Sequence, residues 1–319
     1  MSSLSRHIDH VLKTAGHPGA AARSRLAASW RRSLNHYGLD PGQHREVQRV
    51  CAHALTERLD QADRMRRIAL PKIDALFQLV GGSGCGVLLT DAEGVVLDLR
   101  ASDGDSDTFH AWGLTPGADW SEASEGTNGI GTCIAEGRQV IIHREEHFHA
   151  RNTAMSCMDA PIFGADGRMI GALDVSSARA DQTASFNQLI AAMVAQTARQ
   201  IEVENFRDAF PDARIVTAEA GATDAAVLLA VDSDDIVRGA TRAARKAFSL
   251  AATGPITPCP ASDLFGGEDE VGGFDRAERA AVNRALSRAR GNVSEAARLL
   301  GIGRATLYRR MKRLGLTGG

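Results

Sequence analysis

The chain has 319 residues, 44% of them apolar and 24% charged, with a net charge of −2. That length suits two or three domains of ordinary soluble globular composition. The N-terminal MSSLSRHIDHVLK lacks the apolar run of a signal peptide, and the longest apolar stretches, such as Ala225 to Val231, are too short to span a bilayer. A cytoplasmic protein with no membrane partner is expected. Five scattered cysteines (Cys51, Cys85, Cys133, Cys157, Cys259) include no Cys-x-x-Cys pair. They predict reduced thiols rather than disulfides or a structural zinc.

In chain order, residues 21–36 have helical periodicity and stop at the turn Tyr37 to Gly42. A second helical tract covers Glu46 to Val80, with an interruption expected near Pro71. Cys85 to Thr90 and Val95 to Leu99 are apolar β-type runs joined by Asp91-Ala92-Glu93-Gly94, which reads as a hairpin. Glu125 to Asn128 opens a predicted helix reaching Glu136, and Gln139 to His143 is a further strand. The hairpin layout returns with Ala160 to Phe163 and Met169 to Val175 around the turn Gly164 to Gly167. A long helix then spans Ser185 to Phe206. Antiparallel hairpins with segregated helices predict an α+β fold. Ala226 to Asp232 is a strand candidate, Gly239 to Leu250 a helix, and Gly254–Pro260 and Gly266–Gly273 loops. The expected division is 1–80, 81–207, 208–266 and 267–319.

The C-terminal forty-five residues carry the clearest signal. Apolar positions recur at Val282, Ala285, Leu286 and Ala289, then Val293, Ala296, Ala297 and Leu300, then Leu307, Tyr308, Met311 and Leu314. Three amphipathic helices follow, each with one inward face. Gly291 ends the first, Asn292 with Glu295 forms a capping box for the second, and Gly301-Ile302-Gly303 turns into the third. Outward on that third helix lie Thr306, Arg309, Arg310 and Arg313, with Arg304 at its start and Lys312 beside them. Residues 275–319 hold eleven Arg/Lys against three Asp/Glu, a net of +8, so the remainder carries −10. A compact all-α unit with an arginine-rich outer face fits phosphate oxygens and guanine edges, and double-stranded DNA is the expected partner.

Residues 292–302 (NVSEAARLLGI) with Arg304, Thr306, Leu307, Tyr308, Arg310, Met311, Lys312 and Leu314 closely resemble the Fis-type helix-turn-helix. That resemblance implies a homodimer placing two recognition helices in successive major grooves. Ala28 to Ser33 with Gly38-Leu39-Asp40-Pro41 looks like the N-terminal signature of acetoin-catabolism-regulator-like activators, which are related to NtrC. Glu125 to Thr132, Glu146-His147-Phe148, Cys157, Ala160-Pro161-Ile162, Gly171 and Leu173 to Ser176 match the GAF sensor domain of that family. Residues 208–266 resemble a short, degenerate PAS-like module closed by Asp263-Leu264-Phe265. The family commonly has Ala at the positions of Gly129 and Cys133, and a smaller residue near Met158-Asp159.

Such activators normally carry an ATPase between sensor and helix-turn-helix. Its phosphate loop, G-x-x-x-x-G-K-[ST], is not found here: none of the four lysines (Lys13, Lys72, Lys246, Lys312) follows a glycine. Regulation without ATP hydrolysis is expected, by recruiting or obstructing RNA polymerase or another regulator, with a small-molecule effector as the signal. The ligand site is expected at Thr127 and Asn128, whose helix start can hold a polar group, with Trp120, Ile130, Cys133, Phe148 and Cys157 as walls. Capping by Thr127 and Asn128 is an equal alternative. His143, His147, His149 and Cys157 cluster without a compact metal-ligand spacing, so no metal or cofactor is assigned. Two other readings stand beside the regulator. One is a GAF-type thiol reductase of free methionine sulfoxide using Cys85, Cys133 and Cys157; the other is a ligand-independent architectural DNA binder. A non-enzyme is expected.

Overall fold

The computed structural model describes residues 3–177, 179, 181–218, 225–265 and 273–316. Two compact units divide the chain, Met1–Ala261 and Ser262–Gly319.

The first unit begins with α1 (Ser3–Gly16), α2 (Ala20–Arg23) and α3 (Arg25–Arg31), followed by a π-type turn over Arg32–His36. Helix α1 lies ahead of the helix expected from residue 21, and Leu4, Ile8, Val11 and Ala15 give it helical spacing. Val11 and Ala15 bury against Trp30, Leu39 and Phe148. The Trp30 indole donates to the Glu146 carbonyl at 2.8 Å. Glu122 takes the Ser29 hydroxyl and a two-pronged contact from Arg32 at 2.8 and 2.9 Å. The Ala28 to Ser33 signature is thus a fastening surface between the N-terminal helices and the sensor.

Next come α4 (Ala52–Gln61) and α5 (Asp63–Val80). The expected break at Pro71 does not occur, because α5 runs through it. Met65, Ile68, Ala69, Ile73, Leu76 and Val80 are buried on both sides of the proline. Their burial outweighs the one backbone hydrogen bond that proline forfeits. The break falls instead at Ala62, between the two helices.

A five-stranded antiparallel sheet follows, built from β1 (Cys85–Asp91), β2 (Val96–Arg100), β3 (Val140–His143), β4 (Ser156–Phe163) and β5 (Met169–Ser177) in the order β2-β1-β5-β4-β3. Both predicted hairpins are present, and β4 starts four residues earlier than the sequence suggested. One face packs on α5 and on α9 (Ala184–Ala209) through Leu89, Met158, Leu173, Ile190, Val194, Ala198 and Ile201. Leu189, which the periodicity placed in that stripe, is 58% exposed. The opposite face is covered by α6 (Asp103–Ala111), α7 (Glu122–Glu125) and α8 (Gly129–Glu136). Their core joins Leu88, Val96, Phe109, Trp120, Ile130, Met155 and Cys157. Helix α6 was not foreseen, since DGDSDTFHA offers one buried side chain and no apolar stripe.

A smaller antiparallel sheet then holds β6 (Arg214–Thr217), β7 (Leu228–Val231), β8 (Ile236–Ala240) and β9 (Cys259–Pro260), with α10 (Arg242–Ala247) after β8. Gly239, expected in a helix, lies in β8. Helix α10 starts only after Thr241, whose hydroxyl caps the Ala244 amide. The short α11 (Ala261–Leu264) follows; most of the expected 266–273 loop lies outside the described residues.

The second unit is α12 (Gly273–Arg288), α13 (Val293–Leu299) and α14 (Arg304–Arg313) around Val282, Ala285, Ala289, Ala296, Ala297, Leu307, Met311 and Leu314. Gly291 and Gly301 take left-handed φ of 83° and 64° at the two turns, where glycine carries no steric cost.

Candidate nucleic-acid interface and sensor core

Asn292 Oδ1 accepts from the Ser294 and Glu295 amides at 3.0 and 3.2 Å, so it caps α13 as expected. The reciprocal half of the capping box is replaced: Glu295 pairs with Arg298. On α14, Leu307, Met311 and Leu314 face the core, but Tyr308 does not. It is 45% exposed, with the Arg304 guanidinium 5.6 Å from its ring centroid. Three inward positions fill the small core, leaving the fourth outside.

Arg304, Arg309, Arg310, Lys312 and Arg313 are all exposed and Thr306 half-buried. They fall into two groups. Arg310 and Arg313 reach back to Glu278 on α12, Arg310 at 2.9 Å, and Arg313 also lies 3.5 Å from Asp275. Arg304, Arg309 and Lys312 have no carboxylate within ion-pair distance among the described residues. Sequence charge patterning could not separate the groups, because Glu278 comes from another helix.

In the sensor, all seven expected ligand residues are buried, and the five apolar ones are spread over three clusters. Trp120, Ile130 and Cys157 share one, Phe148 sits with Trp30, and Cys133 sits with Val140, Ile142 and Ala172. Asn128 caps α8: its Oδ1 accepts from Gly131 N at 2.8 Å, and its amide donates to the carbonyls of Trp120 and Gly126 at 3.1 and 2.8 Å. Thr127 Oγ1 lies 2.6 Å from Ser29 Oγ, and the Thr127 carbonyl accepts from Phe148 N at 2.9 Å. These polar groups are therefore spent on the fold.

Around Cys157 the chemistry is unusual. Asp159 on β4 stands opposite Asp174 on β5, and both are fully buried. Both oxygens of Asp159 and one of Asp174 receive no donor, so these carboxyls can bond each other only through a shared proton. Burial raises both: Asp174 is pushed up to about 7, held back by Ser176, and Asp159 is raised well above the ordinary carboxylate range by burial and by Asp174 facing it. Gly129 makes the arrangement possible, since a Cβ there would lie 2.0 Å from Asp159 Oδ2 and 2.5 Å from Cys157 Cβ.

His147 is neutral, lowered by burial to about 4. Its Nδ1 donates to the Arg144 carbonyl at 2.9 Å, which leaves Nε2, 3.4 Å from Cys157 Sγ, to accept the thiol proton. His149 is also lowered to about 4 by burial, while His143 bonds Ser156 at 2.7 Å. Among the described residues, no three His, Cys, Asp or Glu side chains are disposed to hold a metal. Burial raises the thiols of Cys85, Cys133 and Cys157, strongly for the last two, and all five cysteines are free. A buried thiol of this kind is a poor source of thiolate.

Residues 66–204 match the GAF domain model, and residues 274–314 match that of the Fis family of bacterial regulatory proteins. The chain joins a GAF domain to a Fis-type helix-turn-helix. It is 35% identical over 209 residues to the acetoin catabolism regulatory protein of Cupriavidus necator, covering 63% of this chain and 31% of that one. It is 31% identical over 165 residues to the acetoin dehydrogenase operon transcriptional activator AcoR of Bacillus subtilis, covering 49% and 26%. The chain thus spans less than a third of these relatives' length. In fold it is similar to the E. coli DhaR(N)-DhaL complex structure, with a TM-score of 0.52 and 14% identity, over 75% of this chain and 80% of that one. The Fis-type match and the relatives' names are those of DNA-binding transcription regulation, and no described helix is long and apolar enough to cross a membrane.

Proposed function

We propose that this chain is a dimeric, sequence-specific DNA-binding transcription regulator whose GAF-containing unit senses a small molecule and which works without ATP hydrolysis. The observation that carries the reading is the outer face of α14: Arg304, Arg309 and Lys312 stand exposed and, among the described residues, without a carboxylate partner on the third helix of a Fis-type unit of net charge +8, in a chain that is acidic elsewhere. Arg309 is suited to a guanine edge, while Arg304 and Lys312 are suited to phosphates. Arg310 and Arg313 are held in reach by Glu278 and would exchange that carboxylate for phosphate on docking. With no phosphate loop in the sequence, regulation would proceed by recruiting or obstructing RNA polymerase or another regulator. The relatives' names make acetoin the first effector to try, although Gly129 and Asp159 give this sensor a core of its own.

The test is a fluorescence-anisotropy titration of upstream DNA from the chain's own operon, with and without acetoin, for parent and Arg309→Ala. Loss of about 1–3 kcal/mol with relaxed specificity in the variant is expected. Equal affinity for parent and variant at several salt concentrations would remove α14 from the interface. The architectural alternative draws support from one observation: all seven expected ligand residues are buried, five in apolar packing and Thr127 and Asn128 in hydrogen bonds within the fold. DNA affinity unmoved by any effector would favour it.

A further inference from the structure

A large cavity lies away from the Asn128 start of α8. It holds about 1020 Å³, between the turn end of the β4–β5 hairpin, one face of α9, and α10 with the loop after it. Its walls are fixed: Gly254 N donates to the Asp166 carbonyl at 2.8 Å, tying that loop to the β4–β5 turn. Arg245, 2% exposed, donates to the carbonyls of Ala240, Ala251 and Gly254 at 2.9, 2.8 and 2.7 Å.

The lining is strongly asymmetric in charge. Besides Arg245 it contains Arg138, Arg168, Arg199, Arg242 and Lys246, against the single carboxylate of Glu202. Arg138 is neutralised by Glu136 and Arg168 by Asp166. Arg199, Arg242 and Lys246 have no carboxylate within ion-pair distance among the described residues; Arg242 instead lies 3.9 Å over the Phe163 ring. Glu202 accepts from Phe163 N at 2.8 Å, and burial raises its carboxyl to about 7, so it supplies less than a full negative charge at neutral pH. The rest of the wall is apolar, chiefly Phe163, Met169, Phe206 and Leu250. Unpaired cations beside aromatic and aliphatic surface suit one kind of ligand.

We propose that this cavity binds a small organic anion, a carboxylate or phosphate ester with an apolar body, whose charged group pairs with Arg242 and Lys246 while the body lies against Phe163 and Phe206. Because α9 contributes Arg199, Glu202 and Phe206, the bound anion touches the helix that closes the GAF sheet. The assignment places the sensing site of the proposed regulator here rather than at Asn128, but binding itself does not depend on DNA recognition.

The experiment is isothermal titration of the full chain, without DNA, with 2-naphthoate, 2-naphthyl phosphate and neutral 2-naphthylmethanol. One-to-one saturable binding of at least one anion is expected, at least tenfold tighter than the neutral compound; the tighter anion identifies the headgroup. Arg242→Gln and Lys246→Gln should each weaken it several-fold and the double variant at least tenfold, while Arg25→Gln, an exposed cation outside the cavity, should leave it unchanged. Unaltered thermal unfolding of the variants keeps the comparison valid, and any variant that unfolds early is replaced by its charge-retaining counterpart, Arg242→Lys or Lys246→Arg, expected to keep most of the affinity. No saturable binding of either anion at millimolar concentration, or equal binding of the neutral compound, overturns the proposal. So does indifference to the Arg242 and Lys246 changes. Failure of the DNA reading would leave these heats intact, and failure here would leave DNA binding intact.

Discussion

On α14 every cation reaches solvent and the buried side chains are apolar, whereas around α8 the buried residues include Asn128, Glu122, Asp159, Asp174 and His147. The two regions handle polar groups in opposite ways. A helix-turn-helix keeps its charges in water and spends them on a partner, so its substitutions should act on binding. The sensor core has taken polar groups out of water and must satisfy each one locally, so its substitutions should act first on stability.

The sharpest test of that contrast is Asn128→Ala. It removes three buried hydrogen bonds and the cap of α8. A loss of about 2–4 kcal/mol in urea unfolding is expected. A loss below about 0.5 kcal/mol would mean that Asn128 is free for a ligand after all.

Next is the carboxyl pair. Asp174, raised to about 7 in the folded chain, binds a proton that the unfolded chain has released between its ordinary value and pH 7. Its contribution therefore favours the folded state at low pH and is lost as pH rises through about 7. His147, lowered to about 4, runs the other way, losing stability as pH falls below its ordinary value. Because Asp159 titrates against Asp174, comparing Asp174→Asn with the parent reads the carboxyl pair as a unit: between pH 5 and pH 8 the variant should gain about 2 kcal/mol relative to the parent in denaturant unfolding. A constant difference would show that Asp174 is ionised throughout.

Gly129→Ala should cost about 1–3 kcal/mol, since its Cβ meets Asp159 and Cys157. Adding Asp159→Ser should recover part of that loss, and a double-mutant cycle measures how much. Strict additivity would separate the two residues. The smallest effect belongs to the helix-turn-helix. Glu278→Gln frees Arg310 and leaves Arg313 only Asp275, and it breaks only partly exposed ion pairs, so stability should change by less than about 1 kcal/mol. DNA affinity at low salt should hold or rise; a fall would make the α12 carboxylate a positioning group for the two arginines.

Legibility followed the same division. The three C-terminal helices could be read because each apolar stripe serves a core made within forty residues. Only Tyr308, one step around the helix, was placed on the wrong side. The GAF hairpins were legible from Asp91 to Gly94 and Gly164 to Gly167, where turn residues interrupt apolar runs. Helix α6 was hidden by its polarity, and the continuity of α5 through Pro71 depends on tertiary burial. At the sensor, residue types at the α8 start pointed equally to capping and to ligand binding, and the capping contacts of Asn128 with Trp120, Gly126 and Gly131 come from residues that only the fold brings together. The basic cavity had no local signature, since its cations come from four separate stretches between Arg138 and Lys246.

The account rests most directly on α14 as a DNA-reading helix. In vitro selection of the full chain against a random duplex library tests it. The expected product is a two-fold-symmetric sequence with half-sites about one helical turn apart, bound far more tightly than a scrambled duplex by the parent and not by Arg309→Ala. Recovery of no enriched sequence, or of one that the parent and the variant bind alike, would contradict it.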